Sequence, residues 1–231
     1  MKLQHVFLVF LLSVSCSSPA SKWQPLFPED GAPVDWFTGH WADVANPAPE
    51  GTDWQVKEGV LTNEGVRGGW ILSKKEYCNF ELEFDFLLGE RGNSGCALRV
   101  PAKGDPAFDG IELQMADLRY NPEATDAELT GGLYRAVAPL QQVYKPTEWN
   151  KYWISCKGSR IKVKLNGVLV QDIDLSEHPE TVLRHNGEEA VPLNERPLCG
   201  HIGHFINSIK KFHNFHISYK TSYNSWECSC P

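Results

Sequence analysis

The strongest constraint in this sequence is an alternation of side chains over residues 80–88. Large apolar residues at the even positions alternate with the carboxylates of Glu81, Glu83 and Asp85. Successive side chains of a β-strand point to opposite faces of its sheet, whereas a helix repeats about every 3.6 residues. The pattern therefore predicts a strand with one aromatic-rich face and one acidic face.

Two more strands are predicted directly after this one, at residues 95–100 and 111–115. The first carries Arg99, and in the second Glu112 and Gln114 face away from the apolar side chains. Three neighbouring strands would then present carboxylates, an amide and a guanidinium on one shared surface. Such a surface suits a polyhydroxylated ligand, because these groups donate and accept hydrogen bonds.

The rest of the chain also reads as short strands separated by turns. Residues 54–62 form one predicted hairpin, and residues 160–175 form another around Asn166-Gly167, a pair typical of type I′ turns. Residues 28–53 are rich in Pro, Gly and Asp and are predicted to be largely loop. Further strands are predicted at residues 26–27, 68–73, 149–157, 200–205 and 211–219. No segment longer than about a dozen residues shows a helical period, so we predict an all-β antiparallel sandwich.

The length and the net charge of the chain limit the functions that it can have. At 231 residues the chain is long enough for one domain with a well-buried core. The net charge of −7 and the pI near 5.6 oppose a nucleic-acid partner, because phosphate binding requires a basic face.

The N-terminus has the features of a bacterial export signal. Lys2 is followed by an apolar run over residues 6–12, too short for a stable membrane anchor, and then by small residues. The four residues ending at Cys16 resemble a lipoprotein motif, although Ser13 stands where Leu is usual. The alternative is ordinary signal cleavage without a lipid. Either way we predict an exported protein, periplasmic or anchored to the membrane only through a lipid on Cys16.

These features define the predicted domain boundaries. We predict a signal peptide over residues 1–15, a tether over residues 16–22, the sandwich over residues 23–220 and a C-terminal tail over residues 221–231.

Six cysteines remain if Cys16 is lipidated, and export permits disulfides among them. Sequence alone does not choose the pairing. Cys96 and Cys156 lie within apolar strand patterns and are interpreted as small buried residues. Cys228 and Cys230 could join a disulfide, bind a metal or lie in a disordered tail.

A series of short motifs runs through the chain in a fixed order. They are Trp54-Gln55-Val56, Gly59-Val60-Leu61, residues 79–84, Asn93-Ser94-Gly95 with Arg99, residues 110–114 leading to Asp117, Gly132-Leu133-Tyr134, Glu148-Trp149-Asn150, Leu165-Asn166-Gly167, residues 200–203 and residues 212–215. No single motif is diagnostic. As an ordered set they resemble the 3-keto-disaccharide hydrolase domain family over about residues 23–220.

The resemblance implies a concanavalin A-like jelly roll whose concave sheet faces the ligand. It also implies action on a small oligosaccharide or glycoside whose C3 hydroxyl has been oxidised to a ketone. Many members carry a glutamine and a His-Gly pair after the glycine corresponding to Gly203, and an arginine where this chain has His213. This chain departs from the family at both places. No cofactor is implied, and a divalent metal is left open.

A ketone at C3 makes the C2 proton acidic, so a base can remove it and expel the oxygen substituent from C1. Addition of water then completes a net hydrolysis. The reaction needs a base near C2, a donor or cation at the enolate oxygen, and an acid for the leaving group.

Three residues are assigned to these catalytic roles. Glu112 is the predicted base, Arg99 is predicted to hold the enolate oxygen or orient Glu112, and Asp117 is predicted to deliver a proton. The predicted substrate-binding residues are Asn93, Gln114, Tyr134 and Glu83. The alternatives are a structural ion pair between Glu112 and Arg99, and a solvated outer face for Glu83.

Two other functions stay open. One is a non-catalytic carbohydrate-binding module on the same sandwich. The other is an ordinary β-glucanase, which is less favoured because residues 81–85 do not match the Glu-x-Asp-x-x-Glu pattern of such enzymes.

Histidine and tryptophan spacings leave further questions open. The chain contains two His-x-x-His spacings, His201 with His204 and His213 with His216. Strand residues three apart face opposite sides, so neither pair specifies a zinc site. Four tryptophans either stack on sugars or pack in the core: Trp36, Trp41, Trp70 and Trp149.

Overall fold

The computed structural model describes residues 23–63, 65–66, 68–206 and 215–216, which form twelve β-strands and three short 3-10 helices. The strands are β1 (Trp36–His40), β2 (Trp54–Lys57), β3 (Val60–Asn63), β4 (Gly69–Tyr77), β5 (Phe80–Leu87), β6 (Asn93–Val100), β7 (Ile111–Ala116), β8 (Trp149–Lys157), β9 (Arg160–Leu165), β10 (Val168–Asp174), β11 (Gly200–Ile206) and β12 (Phe215–His216). The 3-10 helices are Asp126–Glu128, Leu175–Glu177 and Leu193–Glu195. None of the helices in these ranges is long and apolar enough to cross a membrane.

The strands form a sandwich of antiparallel sheets, which confirms the predicted all-β fold. One sheet has five strands in the order β1-β4-β11-β6-β7, and the opposite sheet has four in the order β10-β9-β8-β5. A smaller sheet, β12-β3-β2, lies beside β5 through β12. The layers enclose a continuous apolar core that includes Phe84, Leu98, Leu113 and Tyr152.

Strand β5 shows the predicted alternation, with its apolar side chains buried and Glu81, Glu83 and Asp85 pointing away from the core. The expectation that β5, β6 and β7 share one polar surface is wrong. β5 lies in the four-stranded sheet, whereas β6 and β7 lie in the five-stranded sheet. Residues 88–92 carry the chain across the sandwich, so the apolar sides of β5 and β6 face each other and their polar sides point in opposite directions.

Both predicted hairpins are confirmed. β2 and β3 are joined by Glu58-Gly59, with φ of 54° and 73°, and β9 and β10 by Asn166-Gly167, with φ of 53° and 82°. A type I′ turn requires positive φ at both central residues, and glycine adopts it without a Cβ clash.

One predicted strand and one predicted loop need correction. Residues 26–27 are not a strand, and the first strand is instead β1, inside the predicted loop. β1 is an edge strand paired with β4, from Trp36 opposite Ser73 to His40 opposite Gly69. Its stability comes from that pairing rather than from a local apolar alternation, so the sequence pattern does not show it. Of the strand predicted at residues 211–219, the structure describes only the two residues of β12.

A disulfide joins Cys78, directly after β4, to Cys199, directly before β11. Cys96 and Cys156 are free and buried, as predicted. The predicted signal peptide and tether, and the tail with Cys228 and Cys230, lie outside the described residues.

Candidate functional site

A pocket of about 540 Å³ opens on the outer face of the five-stranded sheet. Asn93 of β6 and Glu112 and Gln114 of β7 line it from the sheet, together with Trp70 of β4 and Phe205 of β11. Loops on both sides supply its walls. Its volume lies in the range of roughly 300–1,000 Å³ that is typical of small-molecule sites.

Glu112 brings a buried carboxyl group to this pocket. The residue is only 7% exposed, and none of the described residues hydrogen-bonds to its carboxyl oxygens or forms an ion pair with them. Burial raises the pKa of Glu112 well above its ordinary value, and the negative charge of Asp105 adds to this effect. Glu112 therefore keeps its proton to a higher pH than an exposed glutamic acid.

Gly95 provides the space that Glu112 occupies. The two residues lie on the same face of neighbouring strands, and a Cβ atom built on Gly95 would overlap Oε1 of Glu112 and lie 2.7 Å from its Cδ. The φ of Gly95 is not positive, so alanine can adopt this backbone. The missing side chain at Gly95 is thus what allows the carboxyl group to lie against the sheet.

Gly95→Ala is expected to displace the Glu112 carboxyl group and to lower kcat/KM on a substrate by roughly 10²-fold, since small displacements of a reacting group have effects of that size. Steady-state kinetics at matched thermal stability measures this. Adding Glu112→Asp in the Gly95→Ala background shortens the acid by one methylene and should restore part of the activity. If kcat/KM of Gly95→Ala equals that of the wild type, the conclusion that activity depends on the position of the Glu112 carboxyl group is contradicted.

Asp105 is a second pocket carboxyl group that the sequence did not predict. It lies in the loop between β6 and β7, is 8% exposed, and accepts a hydrogen bond from the peptide N–H of Ala107 at 3.0 Å on Oδ1. Burial raises the pKa of Asp105 to about 6, although the N–H of Ala107 opposes the shift. At neutral pH this group is therefore largely ionised.

Two arginines hold the loop that carries Asp105. Arg184 donates two hydrogen bonds to the carboxylate of Asp109, which also accepts the peptide N–H of Asp105 at 2.8 Å. Arg196, which is buried, donates to the carbonyl of Ala107 at 3.2 Å. These contacts fix the position of the Asp105 carboxyl group before any ligand arrives.

The predicted amides Asn93 and Gln114 both reach the pocket. Oδ1 of Asn93 is buried, and no group in the described ranges donates to it. Oε1 of Gln114 accepts the N–H of Met115 at 3.0 Å, so the Nε2 donors of Gln114 are left for a ligand. A ligand hydroxyl could pair with either amide.

Trp41, Tyr134 and His185 form an aromatic wall of the pocket, and the buried ring of Phe108 packs against Tyr134 and His185. The ring of His185 lies 5.4 Å from Phe108, 5.8 Å from Trp41 and 5.9 Å from Tyr134, measured between centroids. Burial, and then the charge of Arg135, lowers the pKa of His185, so its ring is uncharged at neutral pH. Burial, and then the charge of Glu112, raises the pKa of the predicted ligand Tyr134, which stays protonated.

His40 contributes a further group at the end of β1. Its Nδ1 accepts the N–H of Ala42 at 3.2 Å, so the neutral ring carries its proton on Nε2. His40 lines the pocket and can therefore act as a hydrogen-bond donor there.

The other tryptophans have different surroundings. Trp36 stacks on Phe27 in the core at 4.6 Å, and Trp70 packs on Phe205 at 5.1 Å at the base of the pocket. Trp149 is 46% exposed on the opposite sheet. Only Trp41 and Trp70 of the four therefore reach the site.

Arg99 lies away from the pocket. Between the pairs Ala97–Gly203 and Val100–His201 the strand β6 contains one more residue than β11, and Arg99 has φ of 55° in this bulge. Its side chain is fully buried and donates to the carbonyls of Cys78, at 2.7 and 3.1 Å, and of Gly158, at 2.8 Å. The predicted contact of Arg99 with an enolate oxygen or with Glu112 is therefore not formed.

Arg99→Lys is expected to destabilise the fold by roughly 1–3 kcal/mol, because an ammonium group cannot satisfy both carbonyls in the same geometry. Thermal unfolding measures this loss. Below the unfolding transition, kcat/KM should stay close to the wild-type value. A large fall in kcat/KM without a change in stability would contradict this prediction and indicate that Arg99 is a catalytic residue.

Asp117 and Glu83 also lie outside the pocket. Asp117 is fully buried and pairs with Arg119 at 2.8 Å. Burial alone would raise the pKa of Asp117, but the hydrogen bonds from Arg119 outweigh it and hold the pKa below its usual value. Glu83 pairs with Lys151 at 2.6 Å on the outer face of the four-stranded sheet. Both carboxylates have basic partners, and neither faces the pocket.

The histidine spacings do not form a metal site in the part of the chain that is described, where no group of three or more His, Cys, Asp or Glu is placed to hold a metal ion. His204 is buried with its ring 5.4 Å from that of Phe84, and burial lowers the pKa of His204 to about 3. His201 lies with its ring 5.3 Å from that of Phe37. His213 lies outside the described residues.

The residues that the sequence missed, Asp105, His40 and His185, share one property. Each lies in a loop or at a strand end that has no periodic pattern. The Gly104-Asp105-Pro106 turn was the available signal, because it places an acid close to the strand that carries Glu112.

Comparisons with known proteins agree with the fold and the predicted family. The sequence matches the family model of the 3-keto-alpha-glucoside-1,2-lyase-like domain over residues 22–203. A candidate glycosyl hydrolase from Parabacteroides distasonis is 28% identical, with a TM-score of 0.66 over 87% of this chain and 98% of its own. A second from the same organism is 22% identical, with a TM-score of 0.57 over 81% of this chain and 88% of its own, and shows the fold alone. No curated protein matches the sequence significantly. The chain belongs to the 3-keto-alpha-glucoside-1,2-lyase-like domain family.

Proposed function

We propose that this protein cleaves 3-keto-glycosides by elimination. Removal of the C2 proton gives an enolate, and its collapse breaks the bond between C1 and the glycosidic oxygen. The products are an alcohol or sugar and a 1,2-unsaturated 3-ketone. Addition of water to that double bond completes a net hydrolysis.

The buried carboxyl group of Glu112 is the observation that carries this proposal. A structural carboxylate at 7% exposure is normally paired with donors, as Asp117 is paired with Arg119. Glu112 has no such partner among the described residues and faces a pocket large enough for a glycoside. An unpaired acid in a preformed pocket is suited to proton transfer.

Hydrogen-bond donors in the pocket suit the developing enolate oxygen. Nε2 of Gln114, Nε2–H of His40 and the hydroxyl of Tyr134 belong to residues that line the pocket. Donors held in fixed positions stabilise a developing oxyanion more than freely reorienting water does. The membership of the chain in a 3-keto-glucoside lyase-like family supports the same substrate class.

Incubation with a panel of 3-keto-glucosides, beside the unoxidised parent glucosides, tests this function. We expect mass spectrometry to show release of the alcohol from the 3-keto compounds only, together with the unsaturated ketone or its hydrate. Running the panel with and without a chelator tests metal dependence.

Two other outcomes would reject the proposal. Binding of the sugars, measured by calorimetry, without any turnover would identify a carbohydrate-binding module, for which the aromatic wall and the amides are equally suited. Release of reducing sugar from unoxidised glucans would identify a β-glucanase.

We also propose that the protein is exported and lipidated on Cys16. The disulfide between Cys78 and Cys199 supports export, because such bonds persist in oxidising compartments. The intact mass of the mature N-terminal peptide checks both points, and a peptide that retains residues 1–15 would contradict them.

A further inference from the structure

Two buried carboxyl groups line the same pocket in unlike surroundings. Glu112 lies against the backbone of Gly95 without a hydrogen-bond donor from any described residue. Asp105 accepts a peptide N–H from Ala107. A carboxylate needs donors or nearby positive charge once it is removed from water, whereas a protonated carboxyl group does not.

Asp105 has a hydrogen-bond donor and two arginines that stabilise its ionised form. Arg184 and Arg196 are close enough to attract it, and Asp109 is close enough to repel it. The peptide N–H of Ala107 acts in the same direction as the two guanidinium groups and stabilises the carboxylate. Burial still opposes ionisation, so the pKa of Asp105 is about 6 rather than the usual value.

The charges around Glu112 favour its protonated form. The acidic group that acts on it is Asp105, whose charge repels a second carboxylate. Tyr134 faces Glu112 as a neutral phenol, and the rings of His40 and His185 lie in the same pocket. No described cation pairs with Glu112. When two carboxyl groups share a site, surroundings that separate their protonation states assign one as acid and the other as base.

We propose that Asp105 removes the C2 proton and that Glu112 protonates the departing C1 oxygen. This assignment rests on the proposed function. This reverses the sequence-based prediction that Glu112 is the base. It also makes Asp105 a catalytic residue.

The proton and electron transfers balance within the pocket. The carboxylate of Asp105 takes the C2 proton, and the electron pair of the C2–H bond spreads over C2, C3 and the ketone oxygen. The enolate then reforms the C3 carbonyl, a double bond forms between C1 and C2, and the C1–O bond breaks. The departing oxygen takes the proton of Glu112, and exchange with water returns both carboxyl groups to their starting states.

Leaving-group dependence and C2 proton exchange separate the two roles. The substrates are the 3-keto-glucosides of methanol, a poor leaving group, and of p-nitrophenol, a good one. For Glu112→Gln we expect kcat/KM to fall roughly 10²–10⁴-fold with the methyl substrate but less than about tenfold with the nitrophenyl substrate. In D₂O this variant should still exchange the C2 proton of the methyl substrate.

For Asp105→Asn we expect a fall of roughly 10²–10⁴-fold with both substrates and loss of C2 exchange. The amide keeps an oxygen to accept the N–H of Ala107, so the loop contact is preserved. Glu81→Gln, on the outer face of the opposite sheet, is the matched control and should behave as wild type. Thermal unfolding verifies that each variant is folded.

The opposite pattern, in which Glu112→Gln stops exchange and Asp105→Asn keeps it, would overturn the assignment. The assignment is also overturned if Glu112→Gln and Asp105→Asn lose C2 proton exchange equally. It is overturned as well if Asp105→Asn exchanges the C2 proton at the wild-type rate. Failure of the wild-type protein to cleave any 3-keto-glucoside would instead reject the proposed function, and that result is obtained before any variant is compared.

The wild-type pH profile provides a second measurement that needs no variant. A base must be ionised to act, so kcat/KM should rise with pH through an apparent pKa near 6. An acid must be protonated, so a decline at higher pH should appear with the methyl substrate and be absent with the nitrophenyl substrate. Identical profiles for the two substrates would overturn the role of Glu112 as acid.

Discussion

Glu112→Gln is expected to lower kcat/KM for a 3-keto-glycoside with a sugar or alkyl leaving group by roughly 10²–10⁴-fold, the usual contribution of a proton-transfer group. The amide fills the same space over Gly95 but cannot transfer a proton. Binding of the 3-keto substrate, measured by calorimetry, should remain close to wild type. A variant that binds and does not cleave would separate the chemistry of this pocket from its affinity.

Stability provides the control for Glu112→Gln. The folded-state pKa of Glu112 is raised above that of the unfolded chain, so ionisation with rising pH costs folding free energy, and this cost is absent in the amide. The variant should therefore be at least as stable as wild type at pH 8. Glu81→Gln should retain both activity and stability. Full activity in Glu112→Gln would reject this residue as a proton-transfer group.

Removing the disulfide is expected to destabilise the protein by about 2–5 kcal/mol, because Cys78 and Cys199 close a long loop in the unfolded chain, with a sequence separation of 121. For a chain of this length that corresponds to a fall in Tm of roughly 5–20 °C. The bond joins the ends of β4 and β11, two neighbouring strands that form the base of the pocket. Its loss should therefore lower the temperature at which activity is retained, measured by residual turnover after heating.

Calorimetry of the double variant Cys78→Ala/Cys199→Ala, with and without reductant, measures this effect. Reductant should lower the Tm of the wild-type protein and leave that of the double variant unchanged. Equal Tm values for wild type in oxidising and reducing conditions would contradict the prediction.

The family and fold were predictable because they depend on local patterns. The Asn166-Gly167 turn and the alternation in β5 report the preferences of neighbouring residues, which survive in any tertiary context. The placement of Glu112 and Gln114 on the polar side of β7 follows from the same period of two. The ordered motifs then identified the family, which the match over residues 22–203 confirms.

The candidate site was predictable only in part, because distant contacts assemble it. Arg99 would share a face with Ala97 in a regular strand, but a bulge against β11 turns it toward Cys78 and Gly158. Bulges arise from the pairing of strands far apart in sequence, so local alternation does not show them. Glu83 failed as a candidate for a related reason, since its strand lies in the opposite sheet.

The sequence by itself determined that this chain forms an antiparallel sandwich and that β7 carries an acid and an amide on one face. Only the tertiary structure decided which acids meet. It placed Asp105 and Glu112 in one pocket. It gave Asp105 a hydrogen-bond donor and two nearby arginines, and it gave Glu112 neither among the described residues. The physical reason is that periodicity fixes the direction of a side chain within its own strand. Burial, charge and hydrogen bonding depend on loops and strands that only the complete fold brings together.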